Sequence, residues 1–354
     1  MKKLMFITTI ILTLAIFTSC QQQEPVTLEP PFPTAESVNA MIESLGEVND
    51  VESAAMVSKT LENYQALDSV SQTKVTDIQR VFDLSKTAAE FFPVEDSTLK
   101  VMSFNIRYNE FTEDRIDRVI SLILQESPDI IGLQESTVEW VAVLNERLSD
   151  KYGILGHGRE KKLDGESNNA LYKKDKFDLL ESDTLWLTDT PDVCSRHPES
   201  ACYRILTYQF LERKTDGKRF LHVNTHLDHV SEAARVSQAQ ILTSWIKDNF
   251  NSSVPTVLTG DFNCGSETKE YQTIIDADYS VTNIYGESVR TYQGYSETGG
   301  AVIDFIFVNE MFPAISYKVC PEKMDGQWIS DHNAIVSELL LLPAYDSIEI
   351  PTEE

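Results

Sequence analysis

Basic residues are scarce in this sequence. Lys and Arg total 30 against 56 Asp and Glu, so the 354-residue chain carries a formal net charge of −26. Such a charge repels polyanions, whereas a general DNA or RNA binder needs clustered Lys and Arg to displace counterions. The composition therefore disfavours general nucleic-acid binding. It also favours solubility and gives no information about the fold.

Cysteines are also few, and their spacing does not match a zinc site. Apart from Cys20, the chain contains Cys194, Cys202, Cys264 and Cys320. Cys194 and Cys202 bracket the short polar segment CSRHPESAC. Two alternatives follow for this pair. The two thiols form a disulfide, which export from the cytoplasm would permit, or they stay free in a reducing niche.

The apolar run at the start of the chain is too short to span a bilayer comfortably. The segment MKKLMFITTIILTLAIFTSC has a basic start, an apolar core and small residues before Cys20. It resembles a bacterial lipoprotein signal with FTSC as the lipobox, although Phe17 stands where Leu is more usual. The resemblance implies removal of residues 1–19 and lipid modification of Cys20. The exported protein would then be anchored to a bacterial membrane, on its periplasmic face or at the cell surface. The alternative is an ordinary secretory signal with a coincidental cysteine.

Residues 20–33 are polar and rich in proline, which is typical of a linker. Residues 34–92 then show helical periodicity and predict three helices with short connections, a small bundle. Gly46 predicts the end of the first helix, and Asn49 with Glu52 predicts the start of the second. The bundle has two interpretations. It is a spacer or packing collar for the next domain, or it binds an unknown partner or glycan.

Apolar, β-prone runs recur after Pro93 and define a second domain at residues 98–343, followed by an acidic tail at 344–354. Two amphipathic helices, at 113–127 and 231–250, lie between these runs. Many strands with few long helices predict stacked sheets flanked by helices, an α/β sandwich. The runs are LKVMSF (99–104), DIIGLQ (129–134), ALYKK (170–174), ILTYQFLE (205–212), RFLHVNTHL (219–227), VPTVLTGDF (254–262), AVIDFIFVN (301–309) and AIVSELLLL (334–342).

Polar side chains follow or interrupt several of these runs. Because alternate residues of a strand face the same way, we expect Asp261 and Asn263 to project to one side, beside the small Gly260. The same alternation places Asn224, His226 and Asp228 on one face. Other polar residues follow or interrupt separate runs: Asn105, Glu135, Asp304, Asp331 and His332.

Each of these residues also has a structural interpretation. Asn and Asp at strand ends are usually turn or cap residues, and a single histidine is more often part of a hydrogen-bonded core than a catalyst. A buried acid such as Glu135 or Asp304 would need a cation or hydrogen-bond donors. Their recurrence at the ends of separate strands favours one shared site.

Eight motifs in this order resemble the endonuclease/exonuclease/phosphatase superfamily, which includes the deoxyribonuclease-I-like enzymes. They are SFNIR, PDIIGLQE, LYKKDKF, LWLTDTPD, VNTHLDH, LTGDFN, IDFIFV and SDHNAIV, and the match extends over about residues 98–343. The resemblance implies a four-layered α/β sandwich, two packed mixed β-sheets flanked by helices, preceded here by the small helical bundle.

The resemblance also implies a metal site and a group that activates water. Glu135 would be the principal ligand of Mg²⁺, with Asn105 near it, and Mn²⁺ is a possible substitute. Asp261 would orient and deprotonate the attacking water. Asn263 and His226 would hold the phosphate oxygens as negative charge develops on them.

A second set of implied roles concerns the last histidine. Asp304 would hydrogen-bond His332, fix its tautomer and favour its protonated form, and Asp331 would assist the metal or the histidine. Whether Asp261 or His332 acts as the base is open. The expected substrate is a phosphoester, attacked only after a metal and cationic donors neutralise its charge.

The sequence departs from the family pattern in its candidate pocket. The segment ESNNALY lacks an aromatic residue after Glu166, and Asn168 within it is a candidate substrate contact. Arg107 and Arg204 are candidate phosphate or substrate contacts, or else structural ion pairs. The segment GHGR (156–159) is too weak to predict a phosphate loop.

Three functions are considered. The first is an exported Mg²⁺-dependent phosphohydrolase acting on a small or lipid-linked phosphodiester or phosphomonoester. The second is an extracellular nuclease, which the acidic composition disfavours. The third is a non-catalytic scaffold, which the presence of every expected metal, water-activating and histidine position disfavours.

Overall fold

The computed structural model describes residues 33–250, 252, 254–283 and 289–350. The predicted signal, Cys20, nearly all of the linker and the end of the acidic tail lie outside these residues. Within the described ranges no helix has the length and apolar character needed to cross a membrane. Cys194 and Cys202 both have free thiols, so the unpaired alternative describes this structure.

The α-helices are α1 (Ala35–Ser44), α2 (Val51–Gln65), α3 (Ser69–Gln72), α4 (Ile78–Ala88), α5 (Val94–Ser97), α6 (Glu113–Glu126), α7 (Val138–Leu148), α8 (Glu232–Asn249) and α9 (Lys269–Ile275). Short 3₁₀ turns cover Ala89–Phe91, Lys161–Leu163 and Tyr345–Ser347.

The strands are β1 (Thr98–Asn105), β2 (Ile130–Gln134), β3 (Tyr152–Leu155), β4 (Ala170–Lys173), β5 (Phe177–Trp186), β6 (Ile205–Arg213), β7 (Arg219–His226), β8 (Thr256–Asp261), β9 (Tyr279–Val281), β10 (Asp304–Asn309), β11 (Ala314–Val319), β12 (Lys323–Met324), β13 (Gln327–Trp328) and β14 (Ile335–Leu340).

Residues 34–92 are helical as expected, but with four α-helices rather than three, because the short α3 is separate from α4, and with small differences at the helix ends. α1 ends at Ser44, before Gly46, and Leu45 caps it in an extended conformation. α2 begins after Asp50 rather than Asn49. The Asp50 carboxylate accepts a hydrogen bond from the Ser53 amide at 2.7 Å, and Ser53 Oγ accepts one from the Asp50 amide at 3.1 Å. Ser53 thus completes the capping box that the sequence assigned to Glu52.

These helices share a hydrophobic core with the strand domain. Val57 and Leu61 of α2 pack in the same cluster as Leu340 and Leu342, at and just after the end of β14. Tyr64 Oη donates to Glu310 Oε1 at 3.0 Å across the same boundary. This continuous packing supports the interpretation of the bundle as a collar.

Two six-stranded sheets form the centre of the molecule, in the orders β11-β14-β1-β2-β4-β3 and β5-β6-β7-β8-β10-β9. Both are mixed, because β1–β2 and β7–β8 are parallel pairs and the other pairings are antiparallel. The prediction of two packed mixed sheets flanked by helices is therefore confirmed.

Three apolar clusters account for the layers. Leu99, Val101 and Ile130 of the first sheet meet Phe220 and Val257 of the second in one cluster between the sheets. A second cluster packs α6 and α7 on the outer face of the first sheet. A third packs α8 and α9 on the outer face of the second. Helix, sheet, sheet and helix thus form the layers of the sandwich.

Several elements were missed by the sequence interpretation, among them β5 and α7. β5 has mostly exposed or half-buried residues in its middle and lies at the edge of its sheet, so it lacks a continuous apolar run. α7 is short and follows its N-cap Thr137, whose side chain accepts a hydrogen bond from the Trp140 amide. Its fully buried Trp140 and Leu144 were the available signal.

Candidate active site

Strand topology places five of the expected polar residues at one end of the sandwich. Asn105 ends β1, Glu135 follows β2 directly, and His226 and Asp261 end β7 and β8. Because β1 is parallel to β2 and β7 to β8, these ends coincide within each sheet. Asp304 begins β10, which runs antiparallel to β8 and pairs Asp304 with Asp261. Residues distant in sequence therefore meet at one place.

Asn105 joins carboxylates from the two sheets. Its Nδ2 donates to Glu135 Oε1 at 3.2 Å and to Asp261 Oδ2 at 3.0 Å. The other oxygen of Glu135 accepts from the Tyr108 amide at 3.0 Å. Asn105 is fully buried and Glu135 nearly so. One amide thus fixes the separation of two buried acids.

His332 lies between the carboxylates of Asp304 and Asp261. Its Nδ1 is 2.9 Å from Asp304 Oδ2, and its Nε2 is 3.6 Å from Asp261 Oδ2. His226 Nε2 approaches the same Asp261 oxygen at 3.5 Å. Asp261 Oδ2 therefore faces two imidazoles and the Asn105 amide within one buried cluster.

The pKa values of this cluster are strongly perturbed. Burial alone would lower the pKa of His332, but the charges of Asp304 and Asp261 raise it to about 10. Burial, and then repulsion from Asp304, raise the pKa of Asp261 to about 7, although His332 opposes this rise. At neutral pH His332 is therefore a cation held by Asp304, and Asp261 lies close to its titration point.

The pKa of His226 is shifted in the opposite direction from that of His332. Burial, followed by the positive charges of Arg204 and Arg159, lowers the pKa of His226 well below its ordinary value. Its Nδ1 is buried and has no hydrogen-bond partner within the described ranges. His226 is thus a neutral imidazole with one free polar atom.

Asp331 and Arg107 form an ion pair at the edge of this cluster. Arg107 Nη1 lies 2.9 Å from Asp331 Oδ2, and the arginine side chain is 31% exposed. Burial raises the pKa of Asp331, against the effects of His332 and Arg107. Of the two alternatives for Arg107, the structure shows the ion pair, and solvent still reaches the arginine side chain.

The expectation that Asp261 and Asn263 alternate on one strand face is wrong. β8 ends at Asp261, and Asn263 adopts a left-handed conformation with φ 51°. Its backbone amide donates to Asp261 Oδ1 at 2.9 Å, and its side-chain amide donates to the Leu227 carbonyl at 3.0 Å. In this structure Asn263 orients the Asp261 carboxylate.

The alternation proposed for Asn224, His226 and Asp228 holds for the first two, which both lie in β7, but not for Asp228. β7 ends at His226, and Asp228 lies beyond it, where it accepts hydrogen bonds from Ser231 and Ser200. Asn224 is fully buried between the sheets, so only His226 of the three reaches the site.

The candidate substrate contacts Asn168 and Arg204 are both buried. Asn168 Nδ2 donates to the Ile205 carbonyl at 2.9 Å, which is a structural role. Arg204 Nη2 lies 3.0 Å from His229 Nδ1, and its Nε is 3.9 Å from Asp228 Oδ2, too far for a hydrogen bond.

Glu166 and Arg159 belong to the site and were missed as functional residues. Ligand atoms of Glu135, Glu166 and His226 all lie within 4.8 Å of one another. Burial, opposed by Arg159 and reinforced by Glu135, raises the pKa of Glu166. The available signals were the acid that begins ESNNALY and the arginine that ends GHGR.

This group is chemically suited to a divalent cation. It offers two carboxylates and a neutral imidazole, with Asn105 beside Glu135. A hard cation prefers carboxylate oxygens, and its charge would offset the burial and the repulsion from Glu135 that raise the pKa of Glu166. Asp261, Asp304 and His332 form a comparable group, but there the cationic imidazole already occupies the space between the two acids.

Comparison with known proteins agrees with the resemblance found in the sequence motifs. The sequence profile described as Endonuclease/Exonuclease/phosphatase family matches residues 102–332. A Bacteroides vulgatus endonuclease/exonuclease/phosphatase structure is 32% identical, with a TM-score of 0.62, covering 68% of this chain and 98% of that one. The Bacteroides thetaiotaomicron mannosyl-6-phosphatase Bt3783 is 26% identical, with a TM-score of 0.63, covering 69% of this chain and 100% of that one.

Curated relatives match over shorter stretches. An uncharacterized protein, L388, of Acanthamoeba polyphaga mimivirus is 34% identical over 164 residues, 43% of this chain. The chain spans 59% of that protein and 54% of Protein angel of Drosophila melanogaster, to which it is 26% identical over 192 residues, 48% of this chain.

Proposed function

The chain belongs to the Endonuclease/Exonuclease/phosphatase family, and from this premise we propose that it hydrolyses a phosphoester with an activated water molecule and a divalent metal ion. The observation that carries the proposal is the position of Asp261. Its Oδ2 lies between His332 and His226, and Asn105 connects it to the candidate metal ligand Glu135. The residues proposed as base, hydrogen-bond donors and metal ligands thus lie at one buried end of the sandwich.

Glu135 and Glu166, with Asn105 nearby, would hold Mg²⁺ or, as a substitute, Mn²⁺. The ion would supply positive charge to neutralise the oxygens of the phosphoester. Because the pKa of Asp261 is raised to about 7, its carboxylate can take a proton from water and release it again near neutral pH.

His332 and His226 would stabilise the phosphoryl group in different protonation states. His332 is held as a cation by Asp304 and donates to a phosphoryl oxygen as negative charge develops. His226 stays neutral and offers a hydrogen bond without a charge. Asn263 holds Asp261 in position through its backbone amide.

The substrate we propose is a small or lipid-linked phosphoester. The strongly acidic chain opposes a nucleic-acid polyanion. The likeness to a mannosyl-6-phosphatase at 26% identity supports a small organic phosphate such as a sugar phosphate. The partners proposed are therefore this substrate and, through lipidated Cys20, a bacterial membrane.

A substrate panel tests the proposal. Residues 21–354 would be assayed with Mg²⁺, Mn²⁺ or chelator on sugar phosphates, sphingomyelin, bis(p-nitrophenyl) phosphate, plasmid DNA and RNA. We expect metal-dependent release of phosphate or alcohol from the small esters. Nicking of plasmid at physiological salt would favour a nuclease, and no hydrolysis of any substrate would favour a scaffold.

Export and anchoring have a separate test. Expressed with its own signal in a bacterial host, the full chain should incorporate labelled fatty acid and partition with membranes. Cys20→Ser should do neither. Equal labelling of both forms would contradict lipidation at Cys20.

A further inference from the structure

Two buried arginines lie next to the proposed metal ligands. Arg159 Nη2 contacts Glu166 Oε1 at 2.8 Å, and Glu166 belongs to the group that contains Glu135 and His226. The Arg204 side chain is 3% exposed and that of Arg159 is 10% exposed. Burial, and then the positive charge of Arg159, lower the pKa of Arg204, so the two guanidinium groups are near enough to repel each other.

Both guanidinium groups have unused hydrogen-bond donors. Arg159 Nε, Arg204 Nε and Arg204 Nη1 are all buried, and none has a hydrogen-bond partner in the part of the chain that the structure describes. A buried donor without a partner destabilises the folded protein, and more so when it is charged. Three such donors in one place therefore indicate a ligand.

The neighbouring acids do not take these donors. Asp228 Oδ2 already accepts hydrogen bonds from Ser200 Oγ and the Ala201 amide. Its Oδ1 accepts from the Val230 and Ser231 amides. Although burial raises it, these hydrogen bonds lower the pKa of Asp228 to about 2. Asp228 thus attracts Arg204 by its charge at 3.9 Å but accepts no hydrogen bond from the unused Nε and Nη1 donors of Arg204.

The backbone fixes both arginines before any ligand binds. Trp186 Nε1 donates to the Arg159 carbonyl at 2.7 Å, and the Leu187 amide donates to the Arg204 carbonyl at 2.8 Å. Arg204 immediately precedes β6. Preorganised donors of this kind bind an anion without first losing their own flexibility.

We propose that Arg159 and Arg204 form an anion site that selects the dianionic phosphate of a phosphomonoester over a phosphodiester. A phosphomonoester carries about −1.5 to −2 charges at pH 7 and three free oxygens. A diester carries a single charge and has one free oxygen fewer, because the second ester bond uses it. Two guanidinium groups with three unused donors match the first better than the second. The assignment of substrate class rests on the proposed phosphoester hydrolysis, whereas anion binding itself does not.

The first measurement is calorimetric titration of chelator-treated protein with inorganic phosphate. We expect saturable binding to the wild type and at least ~10-fold weaker binding to Arg159→Gln, the scale of one charge-assisted hydrogen bond. Arg219→Gln is the matched control, because Arg219 is 60% exposed and pairs only with Glu212 among its described neighbours. It should bind phosphate as the wild type does.

Arg159→Lys guards against a folding artefact. Lys retains a positive charge opposite Glu166 but lacks the planar fork, so we expect weaker phosphate binding with a melting temperature near the wild-type value. Unchanged phosphate affinity in both Arg159 variants would overturn the proposal.

The second measurement compares kcat/KM for p-nitrophenyl phosphate and bis(p-nitrophenyl) phosphate. The wild type should prefer the monoester by at least ~10-fold, and Arg159→Gln should reduce this ratio by a similar factor, since it loses a charge-assisted bond. A wild-type preference for the diester, or equal losses on both esters, would overturn the assignment. Phosphate binding that depends on Arg159, without hydrolysis of either ester, would retain the anion site and refute the proposed function.

Discussion

Asp304→Asn isolates the charge that keeps His332 protonated. The substitution preserves the shape of the side chain and an oxygen near His332 Nδ1, which lies 2.9 Å from Asp304 Oδ2. In the native protein, burial would lower the pKa of His332, but Asp304 and then Asp261 raise it from 6.5 to about 10. At about 1.4 kcal/mol per pKa unit, this rise corresponds to about 5 kcal/mol in favour of the imidazolium.

Without the charge of Asp304, the pKa of His332 should fall toward or below 6.5, because Asp304 is the largest influence that raises it. The pKa of Asp261 should fall too, since Asp304 is second only to burial in raising it. At pH 8 the variant would offer the phosphoryl group a neutral imidazole. We expect kcat to decrease by ~10²–10³-fold, the usual scale for a lost electrostatic contact in the transition state.

The pH–rate profile distinguishes this reasoning from simple damage to the site. As the pH is lowered from 8 toward 5.5, Asp304→Asn should recover part of its lost kcat, because His332 regains its proton while Asp261 stays ionised. NMR titration of the His332 ring in metal-free protein should show the lowered pKa directly. An equal loss of kcat at every pH, or an imidazole still protonated above pH 9, would refute the argument.

Further predictions concern two residues of the candidate site, a buried histidine of β7 and the packing between the sheets. Glu135→Gln and His332→Ala should each lower turnover by at least ~10²-fold with the circular dichroism spectrum unchanged, and near-native rates would contradict their roles. His222 of β7 is fully buried, and burial lowers its pKa from 6.5 to about 3, so the unfolded chain binds a proton in this range that the folded protein excludes. Stability should therefore be lost as the pH falls from 6.5 toward 3, and less steeply in His222→Gln, as measured by urea unfolding. Gly132→Ala should destabilise the protein by about 1–3 kcal/mol, because a Cβ there would overlap buried side chains of the second sheet. Gly46→Ala, which meets nothing within 4 Å, should change thermal stability little.

Helices and strands whose own residues carry a continuous apolar pattern were predictable from the sequence. The apolar periodicity at 113–127 corresponds to α6, which spans Glu113–Glu126. β10 lies within the run AVIDFIFVN, where five of the strand residues are buried. β5 was not predicted because it is an edge strand whose middle residues face solvent, so its sequence lacks a continuous apolar run.

The site was predictable where its residues belong to the ordered motifs of the resemblance, and less so in the segment that carries Glu166 and Arg159. Glu135, Asp261 and His332 belong to ordered motifs that the resemblance covers. Glu166 and Arg159 come from a segment without strand periodicity, and their pairing depends on loop contacts such as the Arg159 amide donating to the Glu166 carbonyl at 3.0 Å. Such contacts cannot be derived from the sequence pattern of either residue.

The two halves of the site come from different sheets, so its geometry depends on how firmly the sheets are held together. A buried polar network beneath the site provides this connection. Gln134 Nε2 of the first sheet donates to Asn224 Oδ1 of the second at 2.7 Å, and Asn224 Nδ2 donates back to the Leu133 carbonyl at 2.7 Å. Thr259 Oγ1, one strand further along the second sheet, donates to the same Asn224 oxygen at 3.0 Å. An apolar interface would allow the sheets to slide at low cost, whereas these directional bonds fix one register.

The absence of a side chain at Gly132 makes room for the network. The buried Asn224, which seemed from the sequence to belong to the site, thus acts one layer below it, where it keeps Glu135 and Asp261 within reach of a single Asn105 amide.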